Sequence, residues 1–100
     1  MKFVILVDFT DKARQNPPSM DEMATKMSAG AKSMGATIEQ RYWGIGGLHD
    51  IVVILDAPDE DTVAKLITRA QMSGYAVPRV MRVWTDEQRA EIVQSAVTRL

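Results

Sequence analysis

One hundred residues, 46% hydrophobic and 25% charged, suit one globular domain spanning residues 1–100 with a core of modest size. A formal net charge of -1 lacks the basic excess that neutralises phosphates, which excludes nucleic acid as an expected partner. The absence of cysteine excludes disulfides, thiolate metal sites and a cysteine nucleophile, and it suits a reducing cytoplasm.

Phe3 to Phe9 is β-branched and aromatic on both faces and predicts a buried central strand. Its apolar run stops at Asp8 without a small-residue cleavage site, so it does not resemble a signal peptide. The next apolar run, Ile51 to Leu55, is far short of the roughly 20 residues that span a bilayer. No membrane partner is expected, and the expected location is cytoplasmic. Asp11 to Ser19, with Gln15-Asn16-Pro17-Pro18, predicts a polar loop, because a proline pair disrupts strands and helix interiors.

Ser19 and Glu22 have capping-box spacing, and Met20, Met23, Ala24, Met27, Ala31 and Met34 then recur at helical intervals. Gly30 weakens that helix by about 1 kcal/mol relative to alanine, and Gly35 suits its C-terminal cap. Ala36 to Trp43 predicts a strand nearer a sheet edge, with Ile38 and Tyr42 on one face and Glu39, Arg41 and Trp43 on the other. Gly44, Gly46 and Gly47 then predict a hairpin turn into a strand from Leu48 to Leu55.

Asp59 is the expected N-cap of a helix with the stripe Val63, Leu66, Ile67 and Ala70, ended by Gly74. Tyr75 to Trp84 predicts a fourth strand. Thr85 with Gln88 forms a second capping box, and Ile92, Val93, Ala96, Val97 and Leu100 mark a C-terminal helix.

This order predicts an α+β, ferredoxin-like βαββαβ fold with an extra C-terminal helix. Two helices cover one face of such a sheet. Yet Phe3, Ile5, Val7 and Phe9 oppose Val4 and Leu6, and His49, Ile51, Val53 and Leu55 oppose Val52 and Ile54. An open apolar face of several hundred Å², roughly the size that marks an interface, predicts sheet-to-sheet packing in a homodimer or higher homo-oligomer. The competing arrangement folds the last helix back over that face.

His49, the one histidine, is the candidate proton-transfer residue, because only imidazole titrates near neutrality without perturbation. The competing role is a hydrogen bond at the sheet end. Asp50 follows it and, on a regular strand, faces the other way. It would accept amides of the glycine turn or pair with Arg41 or Arg82. Tyr42, Trp43 and Trp84 are candidate aromatic pocket residues, with strand packing as the alternative. The glycines join two strands rather than opening a helix, so no phosphate cradle is predicted. One histidine and scattered carboxylates predict no metal site, and nothing in the chain implies a bound cofactor. The methionine stripe reads as adaptable packing, with a hydrophobic ligand surface as its alternative.

Gly47-Leu48-His49-Asp50 before a Val/Ile strand, the exit Asp56-Ala57-Pro58-Asp59-Glu60 and the ending Arg82-Val83-Trp84-Thr85-Asp86-Glu87 resemble the GYD domain family. That resemblance covers nearly the whole chain and implies small bacterial or archaeal proteins of the dimeric α/β barrel superfamily. The chain departs from the pattern with His49 at the family's tyrosine and a glycine turn one residue longer. Asp50 carries over; a role for the tyrosine does not. The superfamily includes monooxygenases, muconolactone isomerases and ligand-binding regulatory domains, so it restricts fold more than function.

Two functions are expected. One is a small cytoplasmic, self-associating module that binds an apolar or aromatic small molecule or regulates. The other is a cofactor-independent isomerase or monooxygenase on such a molecule. His49 would transfer the proton there, with Arg41 or Arg82 steadying an anion and Tyr42 and Trp43 shaping the pocket.

Overall fold

In the computed structural model, which describes residues 1–98, β1 (Lys2–Phe9) lies between β3 (Ile51–Asp56) and β4 (Ala76–Val83), and β2 (Thr37–Trp43) pairs β3 at the edge. All three pairings are antiparallel, giving the order β2-β3-β1-β4. The helices are α1 (Asp11–Arg14), α2 (Pro17–Ser33), α3 (Glu60–Met72) and α4 (Asp86–Thr98). This α+β architecture is consistent with the ferredoxin-like plan.

Period-two alternation sorts the sheet into two faces. Phe3, Ile5, Val7 and Phe9 meet Ile51, Val53 and Leu55 on the face that α2 and α3 cover, and all are buried. Val63, Leu66 and Ala70 supply the α3 stripe, as the spacing predicts. Asp59 caps α3 by accepting from the Thr62 N–H at 2.7 Å. Gly35 and Gly74 follow the last turns of α2 and α3 with φ of +82° and +73°, conformations that favour glycine. Thr85 and Gln88 exchange side-chain-to-backbone hydrogen bonds of 3.2 and 2.9 Å, the expected reciprocal cap before α4.

Four expectations require correction. The stretch from Asp11 is not a loop: a short α1 forms, and the proline pair occupies the first turn of α2. Proline is tolerated there because first-turn amides have no helical acceptor. Ser19 is consequently inside α2, and its hydroxyl bonds the carbonyls of Ala13 and Asn16 rather than forming a box with Glu22. The third strand begins at Ile51, so Leu48, His49 and Asp50 belong to the turn. In β2, a register shift between Ile38 and Gln40 inserts one residue. Ile38, Arg41 and Trp43 therefore share the helix-covered face opposite Leu55, Val53 and Ile51, while Tyr42 opposes Val52 on the other.

That other face carries Val4 and Leu6 of β1, Val52 and Ile54 of β3, Met81 of β4 and Tyr42, with no helix of the described residues packed over it. Helix α4 buries no side chain, and Ile92, Val93 and Val97 stand exposed. Leu100, the last member of its predicted stripe, lies outside the described residues. The radius of gyration, 15.6 Å, exceeds the about 13 Å of a compact chain of this length. The molecule is accordingly long, 54 × 29 × 20 Å, and α4 does not fold back over the sheet.

Candidate functional site

The turn between β2 and β3 is folded tightly by its glycines. Gly47 N–H donates to Gly44 O at 2.9 Å, and Gly44 N–H donates to Asp50 O at 2.9 Å. Only Gly46 in this turn has a positive φ, +73°. Gly44 is needed for space: a Cβ there would stand 2.3 Å from the His49 carbonyl oxygen. This closure brings His49 and Asp50 back against the end of β1.

Asp50 continues the ladder where β3 has stopped. Its N–H donates to Val7 O at 3.0 Å, and its carboxylate accepts from the Phe9 N–H at 2.8 Å and from Arg14 Nη2 at 2.9 Å. The side chain thus satisfies a strand amide and ties α1 to the turn. The expected partners differ: the Asp50 carboxylate takes neither turn amides nor Arg41 or Arg82, because the turn aims it at β1, and only its backbone carbonyl accepts a turn amide, that of Gly44.

His49 Nδ1 lies 3.2 Å from both carboxylate oxygens of Asp8, and the two side chains are half-buried. The ionised carboxylate accepts, so Nδ1 is the donor in this contact. Asp8 points to the uncovered sheet face, as do Leu6 and Val4, two and four positions before it. The pair therefore stands at the rim of that face. Asp8 and Arg14 were missed as site residues. A signal for Asp8 existed: a carboxylate ending an apolar strand needs a partner.

The remaining candidates are dispersed. Trp43 stacks on Phe9 on the helix-covered face, centroids 6.2 Å apart. Tyr42 lies on the opposite face, its hydroxyl 3.1 Å from Gln40 Oε1. Arg41 donates to Ala24 O at 3.1 Å and Ser28 Oγ at 2.7 Å, at the edge of a cavity of about 30 Å³ lined by Ile5, Met27 and Val53. Arg82 and Trp84 are at the far end of β4, where the guanidinium lies 5.6 Å from the Phe3 ring centroid and 4.7 Å from that of Trp84. Residues 41–50 and 82–84 do not form one pocket. The antiparallel register of β1 and β4 sends Phe9 and Arg82 to opposite sheet ends.

The far rim of the open face also carries charge. Lys2 pairs with Glu39, and that carboxylate holds the ammonium pKa above its ordinary value. Among the described residues, no group of three or more His, Asp or Glu side chains could hold a metal ion, and no helix is long and apolar enough to cross a membrane.

A four-stranded antiparallel sheet with helices on one face, and a polar turn docked on its central strand, defines an α+β protein of ferredoxin-like type. The chain belongs to the GYD domain family, whose model matches residues 3–93. That span covers the sheet, the His49–Asp50 turn and most of α4. No curated protein matches the chain.

Proposed function

We propose that the protein is a self-associating module that packs the open face of its sheet against a second copy, in the manner of a dimeric α/β barrel. The observation that carries this reading is the uncovered face of Val4, Leu6, Val52, Ile54 and Met81 beside a helix, α4, that buries nothing within its own protomer. Apolar surface of that kind gains roughly 25 cal/mol per Å² on burial, and a second copy offers the same surface under a two-fold axis. The cavity under α2, about 30 Å³, holds little more than a water molecule, whereas small-molecule sites run to roughly 300 Å³ and above. Room for an apolar or aromatic ligand at this sheet is thus expected between copies.

Light scattering on a sizing column tests the association. Wild type should run at twice the protomer mass, with Leu6→Asp and Ile54→Lys at the protomer mass with unchanged far-ultraviolet circular dichroism. A wild-type protein of protomer mass at high micromolar concentration would sink the proposal.

A second reading, the cofactor-independent isomerase or monooxygenase, is favoured by the orientation of His49 by Asp8. A carboxylate on Nδ1 leaves Nε2 as a base, as in many acid–base enzymes. His49 lines neither the cavity under α2 nor the groove between α2 and α3, so this reading needs the second copy to wall the rim. Thermal-shift screening of aromatic small molecules against wild type and His49→Ala separates the readings. Ligands lost only in the variant support a His49 site, and equal shifts remove it.

A further inference from the structure

A groove of about 300 Å³ lies between α2 and α3, on the helix layer and away from the open sheet face. Met23 and Met27 of α2, Leu66 of α3 and Tyr75 supply its apolar lining, and Lys26 and Arg69 supply its charge. A third cation adjoins it, since Lys12 Nζ lies 4.9 Å from the Tyr75 ring centroid. Among the described residues no carboxylate lines the groove. Among the described residues the ion pairs are elsewhere, at Asp56, Lys2–Glu39, Arg14–Asp50 and His49–Asp8. Two cations, from α2 and α3, thus line an apolar recess without an anion, and a third from α1 rests on the Tyr75 ring at its edge.

Gly30 adds an independent observation. It sits in the interior of α2, where glycine costs about 1 kcal/mol relative to alanine. A Cβ there would stand 3.7 Å from Arg69 Nη1 and 3.9 Å from Leu66 Cδ2, ordinary contact distances. Its φ is not positive. Neither close packing nor backbone conformation demands glycine at this position. What the missing side chain leaves is room beside Arg69.

We infer that this groove binds a small amphipathic carboxylate. The apolar chain or ring lies against Met23, Met27 and Leu66, and the carboxylate is held by Arg69 with Lys26 beside it. A guanidinium matches a carboxylate in two parallel hydrogen bonds, and methionines reshape around apolar bodies of varied outline. The groove volume is at the lower end for small-molecule sites, which fits a medium-length acid. This site does not depend on self-association, because it occupies the other layer of the molecule.

The test titrates the full chain, labelled at its methionine methyls, with decanoate below its micelle concentration, with decanol and with acetate, followed by NMR. Decanoate should shift the Met23 and Met27 methyls at concentrations where decanol and acetate do not. Arg69→Gln, an exposed substitution that keeps the fold, should weaken decanoate about tenfold, the loss expected for one charged hydrogen bond. Gly30→Leu should remove binding by filling the recess; if that variant does not fold, Lys26→Gln replaces it and should weaken binding in the same direction. Methyls that stay still with decanoate, equal binding of decanol, or an Arg69→Gln protein that binds like wild type would each overturn the inference.

Discussion

The two faces of the sheet have similar side chains and different fates. In β1, Phe3, Ile5, Val7 and Phe9 are buried, while Val4 and Leu6, equally apolar, stay half-buried. Ile51, Val53 and Leu55 contrast with Val52 and Ile54 in the same way. Composition does not separate the faces. What separates them is the presence of α2 and α3 over one and the position of α4, which extends away from the other. Burial in this protomer therefore measures what covers a residue more than how apolar it is.

The sharpest way to test that contrast is a matched pair of truncations. Leu55, 1% exposed, should lose about 3 kcal/mol on replacement by alanine, from lost transfer energy plus a cavity. Leu6→Ala should lose only about 1 kcal/mol in dilute solution, since less surface is withdrawn from water. Urea unfolding followed by circular dichroism gives both values. Self-association predicts that the Leu6 cost grows with protein concentration while the Leu55 cost stays constant. Equal, concentration-independent losses would erase the distinction between the faces.

The next effect concerns the register that assigns residues to faces. Asp50 satisfies the Phe9 amide and holds Arg14. Asp50→Ala should cost about 1–3 kcal/mol by leaving that amide unsatisfied, and Asp50→Asn should cost less. Amide exchange at Phe9 should accelerate in the alanine variant; unchanged exchange would show that water replaces the carboxylate.

A smaller loss is expected in the turn. Gly46→Ala forces an L side chain to φ near +73° and should cost about 1 kcal/mol by thermal melting. If it is neutral, the turn relaxes without disturbing the strands on either side.

The smallest effect lies in the cover of the buried face. The Thr62 amide lowers the Asp59 carboxyl below its ordinary value of 3.8. Because the folded value is depressed, the cap contributes fully above 3.8 and is lost as pH falls through the still lower folded value. Asp59→Asn keeps a capping oxygen and should remove this acid-side component of the melting curve. An identical pH dependence in the variant would place that component elsewhere.

Most of the fold was legible in local signals. Alternation marked β1, the stripe marked α3, Asp59 and Thr85 marked helix starts, and Gly35 and Gly74 marked stops. These signals act over a few residues and need no knowledge of neighbours. The proline pair misled because the same residue breaks a helix interior and suits its first turn. The candidate site was less legible. Arg41, Tyr42, Trp43, Arg82 and Trp84 share a chemistry suited to a pocket, but strand alternation turns Tyr42 away from Arg41 and Trp43, and antiparallel pairing sends Arg82 to the other sheet end. Asp8 and Arg14 lie 41 and 36 residues from their partners His49 and Asp50 in the chain, so no short motif joins them.

By itself the sequence determined the four strands, the three longer helices, their order and the excess of apolar faces, because those follow from hydrophobic period and the stereochemistry of caps and turns. Only the tertiary structure decided which face stays open, which carboxylate meets His49, and that Lys26 and Arg69 line one apolar groove. Each of these depends on register and on the contact of distant segments, where a shift of one residue turns a side chain to the opposite side of the sheet.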